Sequence, residues 1–295
     1  MHPFRHHRKS ATIPLMTHPT SSTTDLVHTA FYKFVRLDDA DAVTVRLREL
    51  TRSLLGSILV AEEGINGVLA GQAADVACFE QALREDALFA GRFADVHFKH
   101  SACDTPPFAR IKVHRKSEIV FLGVDQIDAV SKKGVAVSPE QWRELIAQDD
   151  VVVIDNRNSF EYRLGKFKNA IDPGVDNFRD FPRFIEEQLP HWKEQGKRVA
   201  MYCTGGIRCE KTSAWLHDMD MPVYELEGGI LNYFEKMPDA ERDWEGECFV
   251  FDNRIALDTK LRETPTTPED VYGGEPAWEW RLQRARRLEE DGETS

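Results

Sequence analysis

A cysteine at the mouth of a glycine-bearing loop is the residue of this sequence best placed to do chemistry. In Met201-Tyr202-Cys203-Thr204-Gly205-Gly206-Ile207-Arg208-Cys209-Glu210-Lys211, an apolar strand from Arg198 to Tyr202 gives way to Cys203. The Gly205-Gly206 pair lets the backbone curl, and the stretch from Arg208 to Met219 has helical composition. Amides of such a loop converge on its centre. With the helix dipole and the guanidinium of Arg208 they favour an ionised sulfur and any anion or sulfur adduct that it carries. A buried structural cysteine needs neither the glycines nor the arginine. Cys203 is therefore the candidate nucleophile, and Thr204, Gly205, Gly206, Ile207 and Arg208 are its candidate anion cradle. Asp155, Arg157 and Glu161 are candidate supports of that loop, although an Asp at a strand end also caps neighbouring amides for purely structural reasons. Cys209, six residues beyond Cys203, either resolves a persulfide as a disulfide or fills the core in the first turn of the helix.

The elements that must hold this loop alternate. Val151 to Asp155, Arg198 to Tyr202 and Val223 to Leu226 read as strands. Trp142–Ala147, Phe178–Trp192 and Arg208–Met219 read as helices, with another after Gly228-Gly229. Strands separated by helices predict a parallel sheet, whose ligands sit beyond the carboxyl ends of its strands, where Asp155 and Cys203 both lie. Ser138-Pro139-Glu140 opens this second unit with a capping Ser and a Pro at the first helical position.

The chain before it has a different rhythm. Phe31 to Val35 reads as a strand, Asp41 to Leu55 as a helix, and Ser57–Ala61 with Gly67–Ala70 as a hairpin around Glu62-Glu63-Gly64-Ile65-Asn66. A helix from Ala73 to Glu85 and strands at Asp95–Phe98 and Ile111–Val113 with Glu118–Leu122 complete a βαββαβ order. The expected architecture is thus α/β: an N-terminal ferredoxin-like (βαββαβ) α+β sandwich over residues 27–122, a linker over 123–137, and a parallel α/β domain over 138–237. Residues 1–26, rich in His, Ser, Thr and Pro, read as a disordered tail, and Met16 is a candidate initiator. Residues 238–295 read as an acidic extension, in which Trp278, Trp280 and Leu282 suggest a short docked helix ending in disorder.

Composition narrows the function classes. The 295 residues carry a formal net charge of −12, but unevenly: residues 27–137 hold 14 bases and 15 acids, residues 238–295 hold 8 and 16. An acidic chain is a poor indiscriminate binder of DNA, yet a neutral domain can still present a cationic face. Lys99, Arg110 and Lys112 lie in the densest basic stretch, from His97 to Lys116, and are candidate contacts to a phosphate backbone, with Phe98 or Phe108 available for stacking. The alternative is that ordinary strands carry solvated cations there. Glu63 and Asn66 either face substrate or build the hairpin turn. No run of apolar residues is long enough to span a membrane and the start has no secretory apolar segment, so a cytoplasmic location is the default. Five cysteines without paired CxxC spacing argue against a zinc site or a disulfide framework.

The residues also carry a resemblance. Asp155-Asn156-Arg157 with Glu161, Gly165 and Asn169-Ala170-Ile171, the Cys203-to-Arg208 loop, and Glu225-Leu226-Glu227-Gly228-Gly229-Ile230 are similar to a rhodanese domain in its usual motif order. Four residues separate Cys203 from Arg208, one fewer than in the loop with which cysteine phosphatases wrap a phosphate. Together with Ala61-Glu62-Glu63-Gly64-Ile65-Asn66-Gly67 and Gly246-Glu247-Cys248-Phe249-Val250-Phe251-Asp252, they resemble the rhodanese-domain tRNA uridine(34) hydroxylases over about residues 28–258. The resemblance implies an acylphosphatase-like first domain and a rhodanese second domain. It also implies tRNA as partner, engaged at the anticodon loop, and oxygen-dependent hydroxylation of the wobble uridine to 5-hydroxyuridine with Cys203 as the essential sulfur, carried as a thiol or a persulfide. O2 would be the co-substrate. No flavin, haem, nicotinamide or iron motif is evident, and the electron source stays open. Many relatives carry a cysteine-rich extension after the Cys248 motif; this chain does not, and no metal is expected. A plain sulfurtransferase using the same loop is the alternative, with a tRNA-binding or regulatory adaptor third.

Overall fold

The computed structural model describes residues 26–103 and 106–293; the tail over residues 1–25 lies outside them. The first domain runs β1 (Leu26–Phe34), α1 (Ala40–Leu50), β2 (Leu55–Ala61), β3 (Gly64–Gln72), α2 (Ala73–Glu85), β4 (Phe98–Ala102) and β5 (Ile111–Arg115). Its strand order is β4-β1-β3-β2-β5, antiparallel except where β5 runs parallel to β2. Apolar side chains recur at helical spacing in α1 (Val43, Leu47) and α2 (Val76, Phe79, Leu83), and both helices cover one face, packing on Phe31, Ile58, Val60, Ile65 and Leu69. The alternate residues of the same strands, among them Tyr32, Phe34 and Lys99, face the second domain. This is a ferredoxin-like sandwich with one added edge strand.

Two expected strands lie elsewhere. The fourth strand is displaced from Asp95–Phe98 to Phe98–Ala102, and Glu118–Leu122 is not a strand. That segment is instead pinned: the Glu63 carboxylate accepts from the Ile119 amide at 2.7 Å and the Asn66 side chain donates to the Ile119 carbonyl at 3.0 Å. Side-chain acceptors and donors replace a strand ladder there, while Ile119 and Leu122 are buried at the junction of the domains.

The second domain comprises β6 (Val135–Val137), α3 (Pro139–Ile146), β7 (Val151–Asp155), α4 (Ser159–Leu164), β8 (Gly165–Phe167), α5 (Phe181–Glu194), β9 (Arg198–Tyr202), α6 (Ile207–His217), β10 (Val223–Leu226) and α7 (Gly229–Lys236). Its parallel sheet has the order β6-β10-β9-β7, with α5 and α6 on one face and α3 and α7 on the other. The last three residues of the stretch expected to be a linker form β6, which pairs with β10; three residues are too few to show a strand period. Ser138 closes a capping box with Gln141, so α3 begins where the cap-like Ser placed it.

The C-terminal segment is built into this domain. β11 (Trp244–Gly246) pairs with β8, and β12 (Cys248–Phe249) pairs with β13 (Ala256–Leu257). α8 (Pro268–Tyr272) and α9 (Glu279–Glu293) follow, and Trp278 and Leu282 pack with Phe249 and Tyr272 on Phe160. Among the described residues, no helix is long and apolar enough to cross a membrane.

A buried cation ties the two domains. Lys211, on α6, donates to both oxygens of Glu63 at 2.8 and 2.9 Å, to Glu118, and to the Val120 carbonyl at 3.1 Å. Removing one member of such a cluster leaves uncompensated charge in a poorly solvated place. Lys211→Met is expected to cost about 3 kcal/mol, read by equilibrium denaturation, and the triple variant that adds Glu63→Gln and Glu118→Gln should recover part of that loss.

Candidate active site

Cys203 follows directly on β9 and is 1% exposed. The loop that leads from it to α6 is held from outside through its carbonyls. The amide of Ile230 donates to the Cys203 carbonyl at 3.0 Å and that of Leu231 to Thr204 at 3.2 Å, both from the first turn of α7. Lys99, reaching across from β4 of the first domain, donates through Nζ to the carbonyls of Gly205 at 2.6 Å and Gly228 at 2.7 Å. With the carbonyls tied outward, the amides turn inward, and the Gly206 N–H meets the Cys203 sulfur at 3.1 Å. Gly206 has φ +103° and caps α6. A side chain there would be strained, and its Cβ would lie 2.9 Å from the Tyr32 hydroxyl.

The sulfur's charge follows from this setting. Burial opposes ionisation of Cys203, but a hydrogen bond from the Cys209 thiol, the charge of Arg208 and the amides of Cys209 and Gly206 hold its thiol well below the ordinary value. Cys209 moves the other way: burial and its donation to Cys203 keep it a thiol. It sits buried in the first turn of α6, so it is both a core residue and the proton donor to its neighbour. Burial lowers the Lys99 ammonium to about 8, while the charge of Cys203 acts to raise it. Both thiols are free.

Arg208 is held by a carboxylate. Its two terminal nitrogens bind the carboxylate of Glu161 at 2.7 and 2.8 Å, and one also meets the Thr204 hydroxyl at 3.4 Å. The charge of Arg208 holds Glu161 below the usual carboxylate range against the cost of burial. Asp155 and Arg157 support a different neighbour: Arg157 grips Asp155 at 2.8 and 2.6 Å and the Gly165 carbonyl at 2.6 Å, and Tyr202 donates to Asp155 at 2.6 Å. This pair fastens β8 to the sheet and lies against Trp244. Its hydrogen bond toward the loop runs through Tyr202, the residue before Cys203, and the charge of Arg157 is also felt at Glu161 and Arg208.

Among the described residues, no group of three or more metal-binding side chains converges. A UPF0176 acylphosphatase-like domain model matches residues 26–119 and a rhodanese-like domain model residues 138–236. The chain is 42% identical over 252 residues to the tRNA uridine(34) hydroxylase of Legionella pneumophila, covering 83% of this chain and 96% of that one. It is 46% identical over 238 residues to the protein of that name from Nitrobacter winogradskyi, with 80% and 92% covered. For Synechococcus elongatus the identity is 47% over 243 residues, with 81% and 88% covered. The chain belongs to the tRNA uridine(34) hydroxylase family.

In this family member the residues singled out from sequence do not all meet. Cys203, Thr204, Gly205, Gly206, Ile207, Arg208, Glu161, Cys209 and Lys99 form one site. Lys99 was a candidate backbone contact; the structure makes it an interdomain clamp, because strand alternation points it at the rhodanese loop. Glu63 and Asn66 spend their polar atoms on Ile119 and Lys211, away from the Cys203 loop. Arg110 is exposed and Lys112 half-buried, and neither makes an ion pair among the described residues. No local signal marks Tyr32, Lys211 or Phe251: Tyr32 meets Gly206, Lys211 meets partners 91 to 148 residues away, and Phe251 lies beside Arg208.

Two variants test the site. In Cys209→Ala the sulfur loses its thiol donor, so the midpoint of Cys203 thiolate absorbance, taken as the difference from Cys203→Ala, should move to higher pH. Lys99→Met leaves two carbonyls without their donor and should destabilise the protein by about 2 kcal/mol. Above about pH 8 the wild-type Lys99 loses its charge but keeps two N–H donors, so its carbonyl clamp should persist while its electrostatic support of the thiolate fades.

Proposed function

We propose that this protein hydroxylates the wobble uridine, position 34, of tRNA to 5-hydroxyuridine, with Cys203 as its reactive sulfur. The observation that carries this reading is membership of the tRNA uridine(34) hydroxylase family at 42–47% identity across both domains. Two features support it. Cys203 is set up to be a thiolate, the form that reacts or carries a second sulfur as a persulfide. The first domain supplies Lys99 and Tyr32 to the sulfur loop, whereas sulfur transfer alone requires no such module.

The substrate is physically apt. Position 34 lies in the single-stranded anticodon loop, where a base can be splayed into a pocket without unpairing a duplex. O2 is the oxidant. Placing one of its oxygen atoms at C5 requires two electrons and two protons, and the second oxygen leaves as water. The protein acts in the cytoplasm, where its tRNA substrate is found, and on neither DNA nor membranes. Lys112 and Arg110 are cations of the first domain placed to follow the RNA backbone.

Nucleoside mass spectrometry tests the assignment. In a host stripped of every route to 5-hydroxyuridine, the wild-type gene should restore the nucleoside and Cys203→Ala should abolish it. A folded, expressed wild-type protein that restores none would overturn the assignment and favour sulfur transfer, which thiosulfate and cyanide would then reveal.

A further inference from the structure

Phe251 is the most exposed large apolar side chain among the described residues, at 58%. A lone exposed aromatic is ordinary on a protein surface; the mounting of this one is not. Its ring stands edge-on to the buried ring of Phe249 at 5.0 Å. The guanidinium of Arg208 lies 5.9 Å from its centroid, and that same guanidinium touches Thr204, the residue after Cys203. The backbone behind the ring is fixed. Val250 donates to the Ile255 carbonyl at 2.8 Å, and Asn253 donates to Pro107 of the first domain at 3.1 Å. Arg254 clasps Asp252 at 2.8 and 2.7 Å and donates to Ser101 on β4 at 2.8 Å. Three parts of the chain thus meet at one rigidly held aromatic on the rim of the sulfur loop, with much of its ring open to solvent.

We infer that Phe251 is the platform on which a base of the single-stranded substrate stacks as it approaches Cys203. The inference rests on the assignment of a tRNA substrate above. A preformed ring gives up little freedom on binding, and every base has a π-face to lay on it. Phenylalanine has no hydrogen-bonding group, so Phe251 places a planar base without choosing which one. The one guanidinium beside the ring, that of Arg208, is held by its ion pair with Glu161. The base that stacks is the one at position 34, since the platform adjoins the loop of the reactive sulfur.

The test uses the full-length protein and tRNA transcripts with uridine or an abasic site at position 34. Phe251→Ala and Phe251→Leu should weaken binding or raise KM about five- to hundredfold, whereas Phe251→Trp should stay close to wild type. Cys203 thiolate absorbance should be unchanged in all three, which a mere prop of the loop would not allow. On the abasic transcript, Phe251→Ala should have no further effect. The proposal is overturned if Phe251→Ala binds and turns over the uridine transcript like wild type, if leucine serves as well as tryptophan, or if the loss persists on the abasic tRNA. If wild-type protein makes no 5-hydroxyuridine, the assigned reaction falls, and the platform is judged on the binding measurements alone.

Discussion

A negative sulfur with 1% exposure has no water to solvate it, and the structure around Cys203 is arranged to replace that water. The Cys209 thiol and the charge of Arg208 do most of the replacing, and the amides of Cys209 and Gly206 add to them. A carbonyl pointed at the sulfur would oppose its charge as strongly as an amide supports it, so the orientation of four consecutive peptides matters to the thiolate as well. Ile230, Leu231 and Lys99 take the carbonyls of Cys203, Thr204 and Gly205, and the Gly206 carbonyl accepts from Glu210 within α6. Each of these bonds lies outside the ring of amides, and each holds one peptide in the sense that the sulfur needs.

That constraint explains why the two domains behave as one site. The Gly205 carbonyl is held by a lysine of the other domain, and Tyr32 closes on Gly206 from the same side. The alignment of Lys99 depends in turn on how the sandwich sits on α6, which the Lys211 cluster and the packing of Phe34, Ala61 and Ile119 against Ala214 set. The C-terminal strands complete the enclosure, since Arg254 reaches Ser101, two residues along β4 from Lys99. A shift of the first domain would therefore be felt at the sulfur through one ammonium group, without any change in the rhodanese fold itself.

What could be seen in the sequence was local. The Cys203 loop, the Ser138 cap, the α2 limits and the alternation of strands and helices are written in residues a few positions apart, where spacing and turn chemistry are informative. Lys99 and Glu63 were visible as charges but not as partners: Lys99 pairs 106 residues away and Glu63 148 residues away. Alternation along β4 would have set Lys99 on the face opposite the core, yet only the docking of the second domain decides that this face is covered. β6 was hidden by its brevity, and the role of the 244–257 segment by its lack of period. Arg208 was read as an anion ligand from its place in the loop; its occupation by Glu161 requires the fold of α4, which the sequence did not announce.

The Arg208–Glu161 pair bears on what the loop can hold. A phosphate-binding cysteine loop offers guanidinium donors to two oxygens, and here three of the five N–H groups of Arg208 are taken, two by the buried carboxylate of Glu161 and one by Thr204. Asp155 and Arg157 likewise cancel one another. With those pairs neutral, the remaining support for negative charge consists of the loop amides, the Cys209 thiol, the screened field of Arg208 and the ammonium of Lys99. That suits a single charge spread over a large, polarisable atom and falls short of a compact dianion. The four-residue span from Cys203 to Arg208 leads to the same end by geometry, since a shorter loop encloses less space. Charge balance and loop size thus both favour a single charge on one sulfur over a phosphoryl dianion.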